Sequence, residues 1–552
     1  MDKKDIRNCF LLVLLGAICF LPFLGAVHLF DWDEINFAEA SREMIESGDY
    51  MRVTIDYQPF WEKPPLFFWL QVMSMKMWGV NEFAARFVNA IFGILTLLVA
   101  YIVGKKLYDR TFGFLWAATF AGSFLPHFFF KSGIIDPVFN LFIFLSITLI
   151  TSGLLSSEIK RRLLMFGTAG VLSGLAVLSK GPVAFLMIAF TIFIYWALQR
   201  FRKEFSLGEV ILFMGTMCFT AAVFYGIETI FHGTWFIREF LRYQVRLFST
   251  GDAGHGRPFY FHFLVILFGC FPASFMAIRS FTKRHEPVLS QRVYNRIMII
   301  LFWVVLIIFS IVKTKTVLYS SLTWFPVTYL SALTMYGVLK GALPWGKWLN
   351  RSLIAFSTVT AAAIAVFPVL IINKDWITPI IKDRFAVACL QRPVQWSGFE
   401  FLVGVLFFAA LIVSFVLISR RNFLKGFASL LVSCALCCEA FMIVFTPKIE
   451  EYTQRGPVDF YKEHSSGDVY VRSLFKSYAD LYYGKKSMCA NPKSHDREWL
   501  LKGDIDKPVY FVGRITQEKK YSAPEYGLTK LKEEYGFVYY RRDPPQQAQV
   551  TE

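Results

Sequence analysis

Residues 9–30 read CFLLVLLGAICFLPFLGAVHLF, preceded by MDKKDIRN and followed directly by Asp31-Trp32-Asp33-Glu34. A cationic start before an apolar run is the outline of a secretion signal. This run exceeds the roughly 7–15 residues of a signal core and lacks a small-residue cleavage site. It has instead the roughly 20 residues needed to cross about 30 Å of hydrocarbon. The stretch is therefore read as an uncleaved first membrane-spanning helix.

Comparable runs recur along the chain. They predict about thirteen helices, near 9–30, 84–104, 111–130, 137–155, 162–179, 182–199, 209–231, 259–278, 295–312, 317–339, 352–373, 400–419 and 424–446. Of the 552 residues, 55% are hydrophobic and 18% aromatic, more than a soluble core uses. The fold class is an all-α polytopic membrane protein. Its membrane domain spans 1–446, with a first outer loop at 31–83, and a small α/β domain at 447–552 follows. That tail alternates strand-like runs (DVYVRSLF, KPVYFVG, GFVYYRRD) with helix-like stretches such as SYADLYYGKK.

The net charge of +17 does not indicate nucleic acid. Its cations sit in short alternate connections, such as Lys3/Lys4/Arg7, Lys105/Lys106/Arg110, Lys160/Arg161/Arg162 and Arg420/Arg421/Lys425. Clustered on one face, they mark it as cytoplasmic. An odd helix count then puts the N-terminus inside and the tail on the outer side. Most cysteines, including Cys434, Cys437 and Cys438, lie in apolar segments and read as core residues. Cys389 and Cys489 are the candidate disulfide partners outside them.

The chemistry gathers at the outer ends of the helices. After Asp33-Glu34 the first loop has helical periodicity, with Phe37, Ala40, Met44 and Ile45 on one stripe and Glu39, Arg42 and Glu43 opposite. This pattern predicts an amphipathic helix lying on the outer membrane surface. The loop continues to Glu62-Lys63-Pro64-Pro65, and a further acid, Asp136, stands before Pro137 at a helix start. Acids at such positions also serve as helix caps. Separate acids at one rim nevertheless suit a general base and its orienting partner, and Asp33, Glu34 and Asp136 are the candidates.

Cations share that side: Lys180, Arg246, Arg257, Lys313 and Lys315, with His255 and Tyr319 nearby. Any one of them can snorkel to headgroups. A cluster opposing the positive-inside bias is accounted for by a bound phosphate. Glu62 and His255 are the candidates for a divalent metal, two ligands where a structural zinc takes four.

With these motifs quoted, the chain resembles the lipid A aminoarabinose transferase group of the protein-mannosyltransferase-like, C-type membrane glycosyltransferases. The matching elements are Asp33-Glu34, Phe37-Ala38-Glu39, Ser41-Arg42-Glu43-Met44, Gly48-Asp49, Glu62-Lys63-Pro64-Pro65, Ala85-Arg86-Phe87, Lys180-Gly181, His255-x-x-Pro258-Phe259-Tyr260 and Lys313-x-Lys315-x-x-x-Tyr319. The resemblance implies thirteen helices, a sugar donor carried on undecaprenyl phosphate, and lipid A or a protein as acceptor. It implies Asp33 as principal catalytic carboxylate assisted by Asp136. Lys63, His255, Arg257 and Tyr319 would hold the carrier phosphate, with Lys180, Arg246, Lys313 and Lys315 beside them. No cofactor is required beyond the polyprenyl-phosphate-linked sugar. Two departures are Asp31, which makes an Asp-x-Asp spelling, and Thr316-Val317 where the family usually has Leu-Pro.

The competing readings are a protein O-mannosyltransferase and, in another class, a lipid or sugar transporter or flippase. A transporter places ionisable groups at the midplane of repeated halves. Here the midplane is nearly clean, with Glu228 and Glu439 the main exceptions, and no sustained repeat is visible.

Overall fold

The computed structural model describes residues 2–250, 256–282, 288–488 and 491–545. Among them, nine helices are long and apolar enough to cross a membrane: Glu82–Leu107, Asp136–Leu154, Ile159–Lys180, Leu207–His232, Leu289–Ile311, Val317–Leu339, Lys347–Ile372, Leu402–Ser419 and Phe423–Thr453. The other four predicted spans are present in shortened or divided form. The first, Lys3–Phe20, stops ten residues before the apolar run ends, and Val183–Leu198 has 16 residues.

The predicted span at 111–130 divides into Arg110–Ala121 and Phe124–Phe129, and that at 259–278 into Phe261–Gly269 and Ala273–Ile278. Pro272, which has no backbone N–H, marks the second break. The two breaks meet, because the Phe124 N–H donates to the Phe271 carbonyl at 3.1 Å. Each interruption satisfies part of the other's backbone.

Local signals set the helix starts. The Asn81 side chain caps Glu82–Leu107 and Asp109 caps Arg110–Ala121, each accepting from a first-turn amide. Close approach follows small residues. A Cβ at Gly170 would lie 2.3 Å from the Phe213 carbonyl oxygen and one at Gly174 2.8 Å from that of Met217. Ile159–Lys180 and Leu207–His232 thus touch backbone to backbone through a Gly-x-x-x-Gly seam. Val317–Leu339 is enclosed at the centre of the bundle, whereas Leu207–His232 and Lys347–Ile372 turn most of their apolar surface outward. The outward surface suits lipid.

The helix predicted on the membrane surface forms at Asp33–Ser47, but every residue from Glu34 to Met44 is buried. It is enclosed between the bundle and the C-terminal domain instead of lying on lipid. Its polar stripe explains the difference: Arg42 pairs with Glu39 at 2.7 Å and donates to the Lys486 carbonyl at 2.6 Å. Glu43 accepts from Thr54 at 2.7 Å and from the Tyr57 amide at 3.0 Å. The charges facing away from the apolar stripe meet protein, not water.

A short hairpin follows, β1 (Thr54–Ile55) with β2 (Gln58–Pro59). Its two central residues, Asp56 and Tyr57, have φ of 58° and 54°. A two-residue turn of this hand is right for a hairpin, yet Tyr is an uncommon occupant of the left-handed region. The tip is held from outside, since Asp56 bonds to Arg472, Lys486 and His495 of the C-terminal domain.

That domain contains β3 (Tyr470–Ser473), β4 (Val509–Arg514), β5 (Thr529–Glu534) and β6 (Phe537–Arg542) in the order β3-β4-β6-β5. β3 pairs parallel with β4, and the remaining pairs are antiparallel. The three quoted strand-like runs are β3, β4 and β6. β5, with the sequence TKLKEE, is exposed throughout and has no apolar face to betray it. Cys389 is a buried free thiol, and its suggested partner Cys489 lies outside the described residues.

Burial alone would push the Asp56 carboxyl up, but Arg472 and Lys486 outweigh it and hold it below the usual carboxylate range. Replacing Asp56 with Ala removes the carboxylate shared by Arg472 and Lys486 and leaves Arg472 only its longer contact with Asp480 at 3.5 Å, for which a loss of about 3 kcal/mol is expected. The check is limited proteolysis: D56A should release the C-terminal domain faster than the wild type, and equal rates would refute the clamp.

Candidate active site

The site is built where several element ends converge on one rim. Asp33 opens the helix Asp33–Ser47, and the next residue fixes it in place. Glu34 accepts from Arg86 Nε at 3.0 Å and Nη2 at 2.8 Å, from the Phe30 amide at 2.9 Å and from the Gly133 amide at 2.6 Å. Arg86 also donates to the carbonyls of Leu24 (2.7 Å), Val27 (2.9 Å) and His28 (3.0 Å). One buried ion pair thereby ties together the end of the first helical segment, the start of Glu82–Leu107 and the turn before Asp136.

This geometry corrects the catalytic reading of Glu34. Burial pushes its carboxyl up, but Arg86 and the two amides prevail and keep it low, hence ionised. With both oxygens so occupied, it has none to offer a substrate. Glu34 positions Asp33.

Asp136 opens the helix Asp136–Leu154 with Pro137 in the first turn, and its carboxylate meets Lys180 Nζ at 2.7 Å. Lys180 ends Ile159–Lys180, and the left-handed Gly181 (φ 91°) turns the chain away. Its ammonium also lies 5.2 Å from the Tyr319 ring centre and 5.7 Å from that of Phe139. Lys63, held before two prolines, places its ammonium 5.1 Å from the Tyr243 ring, and the Arg246 guanidinium is 5.2 Å from the same ring.

Asp33 is influenced by Lys63, Lys180, Asp136 and Glu62, and Lys63 by Glu62, Asp33, Lys180 and Asp136. Burial raises the Asp33 carboxyl above its usual range despite Lys63, and burial likewise lowers the Lys63 ammonium despite Glu62 and Asp33. Both charges are poorly solvated by their own neighbours. Each gains from an incoming ligand of opposite character: an anion for Lys63, a proton donor for Asp33.

The structure thus brings together Asp33, Lys63, Asp136, Lys180, Glu62 and Tyr319, with Arg246 joined through Tyr243. Lys315 is buried nearby in the chain, and its ammonium donates to the Val312 carbonyl at 2.5 Å. Lys313 points outward and is exposed, as is Arg257. The segment is stitched to the helix Trp235–Ser249 by Thr314, whose hydroxyl donates to the Thr250 carbonyl at 2.6 Å. His255 lies outside the described residues. Among those described, no three His, Cys, Asp or Glu side chains gather as a metal site.

Sequence reasoning misses three features. Arg86 as partner of Glu34 has a signal in the Ala85-Arg86-Phe87 motif, a lone cation at a helix start. Tyr243 as the ring beneath both Lys63 and Arg246 has none. His262, fully buried with neither ring nitrogen hydrogen-bonded among the described residues, reads as one more apolar-helix residue.

Arg86→Ala would leave the Glu34 carboxylate buried and uncompensated, with an expected loss of about 3–5 kcal/mol. Thermal unfolding of the detergent-solubilised protein measures it. An unchanged transition would show that the pair does not anchor the rim.

Known proteins share the fold that carries this rim. The model of the dolichyl-phosphate-mannose-protein mannosyltransferase family matches residues 62–225. The undecaprenyl phosphate-alpha-4-amino-4-deoxy-L-arabinose arabinosyl transferase of Pectobacterium atrosepticum is 26% identical over 438 residues, 75% of this chain and 76% of the relative. Its counterpart in Pectobacterium carotovorum is 25% identical over 437 residues, covering 75% of this chain and 76% of its own length. ArnT from Cupriavidus metallidurans, solved with undecaprenyl phosphate bound, superposes with a TM-score of 0.74 over 96% of this chain and 97% of its own, at 14% identity. The chain therefore has the ArnT fold, and its sequence resembles the aminoarabinose transferase group of the protein-mannosyltransferase-like membrane glycosyltransferases.

Proposed function

We propose that this chain is an inverting glycosyltransferase that moves a sugar, 4-amino-4-deoxy-L-arabinose, from undecaprenyl phosphate to lipid A at the periplasmic face of the inner membrane. The N-terminus is cytoplasmic and the C-terminal domain periplasmic. The observation that carries the reading is the convergence of Asp33, Lys63, Asp136 and Lys180 at one rim of the bundle, with Asp33 and Lys63 each short of solvation.

In the reaction, an acceptor oxygen attacks the anomeric carbon while the bond from that carbon to the carrier phosphate breaks on the opposite side. The departing electron pair stays on the phosphate oxygen. Lys63, half-buried on the Tyr243 ring, neutralises that developing charge. Lys180, paired with Asp136, holds a second positive charge beside Tyr319. Where the acceptor is a hydroxyl, its proton passes to Asp33. A phosphate acceptor arrives as an anion, and Asp33 then orients the acceptor or the sugar. Arg246 and Arg257 are the outer cations for the carrier phosphate, with Lys313 and Lys315 beside them.

The protein-mannosyltransferase match over residues 62–225 favours one second reading, transfer to a protein hydroxyl. Mass spectrometry of lipid A and of secreted proteins from cells with and without the gene separates the two. Sugar lost from lipid A alone supports the first, and sugar lost from proteins alone overturns it.

Asp33→Asn in proteoliposomes should slow transfer by about a hundred- to ten-thousandfold if Asp33 is the base. Turnover at the wild-type rate would remove Asp33 from catalysis. The pH profile provides a further check. Asp33 must be ionised to accept a proton, and its raised pKa moves the acid limb above the ordinary carboxylate value of about 3.9. Lys63 must be protonated, and its lowered pKa moves the alkaline limb below about 10.4. The bell is thus narrowed from both sides. Lys63→Arg, which cannot lose its proton in this range, should carry the alkaline limb upward in the activity that remains.

A further inference from the structure

Beside the rim lies a cavity of about 390 Å³, bounded by the first-loop hairpin on one side and the C-terminal domain on the other. Its lining includes Trp61 and Glu62, just before Lys63 in the chain, and Lys476, Tyr478 and Arg497 of the C-terminal domain. Two of its acids are already engaged: Asp56 and Asp480 both pair with Arg472, which spans the floor. Lys476 and Arg497 make no ion pair among the described residues. The Lys476 ammonium sits 3.5 Å from the Trp32 ring centre, and Trp32 precedes Asp33. The cavity is therefore lined by the residue before Lys63, and one of its cations rests on the residue before Asp33.

Its lining has the equipment for a particular chemistry. Two uncommitted cations suit a phosphate, which Lys and Arg hold by charge-assisted hydrogen bonds. Trp61, itself exposed, and Tyr478 offer apolar faces for a sugar ring, and Glu62 beside them accepts from a hydroxyl or amino group. Lys476 is exposed and Arg497 half-buried, so both heads are open to an anion entering the cleft.

We propose that this cleft is the acceptor subsite: it takes a phosphate-bearing saccharide headgroup, held by Lys476 and Arg497 of the C-terminal domain and presented past Glu62 to Asp33. The assignment rests on the glycosyltransferase reading for its partner and adds a substrate-holding role for the C-terminal domain. Clamping of the Asp56 hairpin tip by Arg472, Lys486 and His495 keeps the two walls of the cleft in register.

The test uses the full-length protein in phosphatidylcholine nanodiscs, which add no competing anionic lipid. The probe is an acyl-free, phosphorylated glucosamine disaccharide, with inorganic phosphate and the unphosphorylated disaccharide as separate arms. Titration calorimetry of the wild type, the K476E/R497E double variant and the charge-preserving K476R/R497K variant reads binding without turnover. The phosphorylated disaccharide should bind more tightly than either phosphate or the plain disaccharide. K476E/R497E should weaken it at least tenfold, and K476R/R497K should retain most of the affinity. In transfer assays, the acceptor KM should rise by a similar factor in K476E/R497E, with the donor KM unchanged.

Equal binding by inorganic phosphate, or an acceptor KM and headgroup affinity untouched in K476E/R497E, overturns the assignment. Continued sugar transfer in that last case leaves the catalytic reading standing. Headgroup binding that depends on both residues in a protein that transfers no sugar would instead sink the catalytic reading and keep the subsite.

Discussion

The Glu34–Arg86 ion pair is the constraint on which the rim depends. Three separate parts of the chain end at it: the irregular segment after Phe20, the start of Glu82–Leu107, and the turn at Gly133. A buried pair of this kind is not a strong net source of stability, because desolvation offsets most of its attraction. Its value is geometric. Arg86 uses its planar fork to hold a carboxylate and three carbonyls at once, which a lysine cannot do. Asp33, one residue from Glu34, and Asp136, three from Gly133, inherit their relative placement from that fork.

That placement allows the site to hold charges it does not fully solvate. A carboxylate and an ammonium in direct contact would satisfy each other and leave little for a substrate. Instead the direct pair is Asp136 with Lys180 at 2.7 Å, while Asp33 and Lys63 are left displaced toward their neutral forms by burial. Lys63 rests on the Tyr243 ring, a support that steadies an ammonium without neutralising it. The unneutralised cation is available to an incoming anion.

Much of this was legible in the residues, and the failures have physical causes. Helix existence follows from run length, so nine spans appear where apolar runs predict them. The runs at 111–130 and 259–278 do not reveal their breaks, since an interrupted helix buried among others stays as apolar as a continuous one. Amphipathicity correctly locates Asp33–Ser47 but not what covers its polar side, because membrane and protein both reward the same stripe. Glu439, which looks like an isolated midplane acid, is paired with Lys131 at 2.7 Å and His127 at 2.8 Å. Glu228 likewise meets His232 at 3.0 Å. Partners hundreds of residues apart in sequence, or hidden in an apolar helix, leave no local trace.

The broken helices carry the last step. Backbone without helical hydrogen bonds is tolerated at membrane depth only where protein or a wet cavity satisfies it. At Phe124 and Phe271 two interruptions answer each other, with the 3.1 Å bond between them replacing what each helix loses. The first segment ends similarly at Phe20, and the carbonyls of Leu24, Val27 and His28 that follow are taken by Arg86. Helices that stop short leave room above their ends inside the bundle, and the chain fills it with Asp33–Ser47 and the hairpin instead of lipid. A polar site can then stand at the edge of an apolar bundle: the outer helix faces stay apolar, while the charges of the rim are anchored in protein.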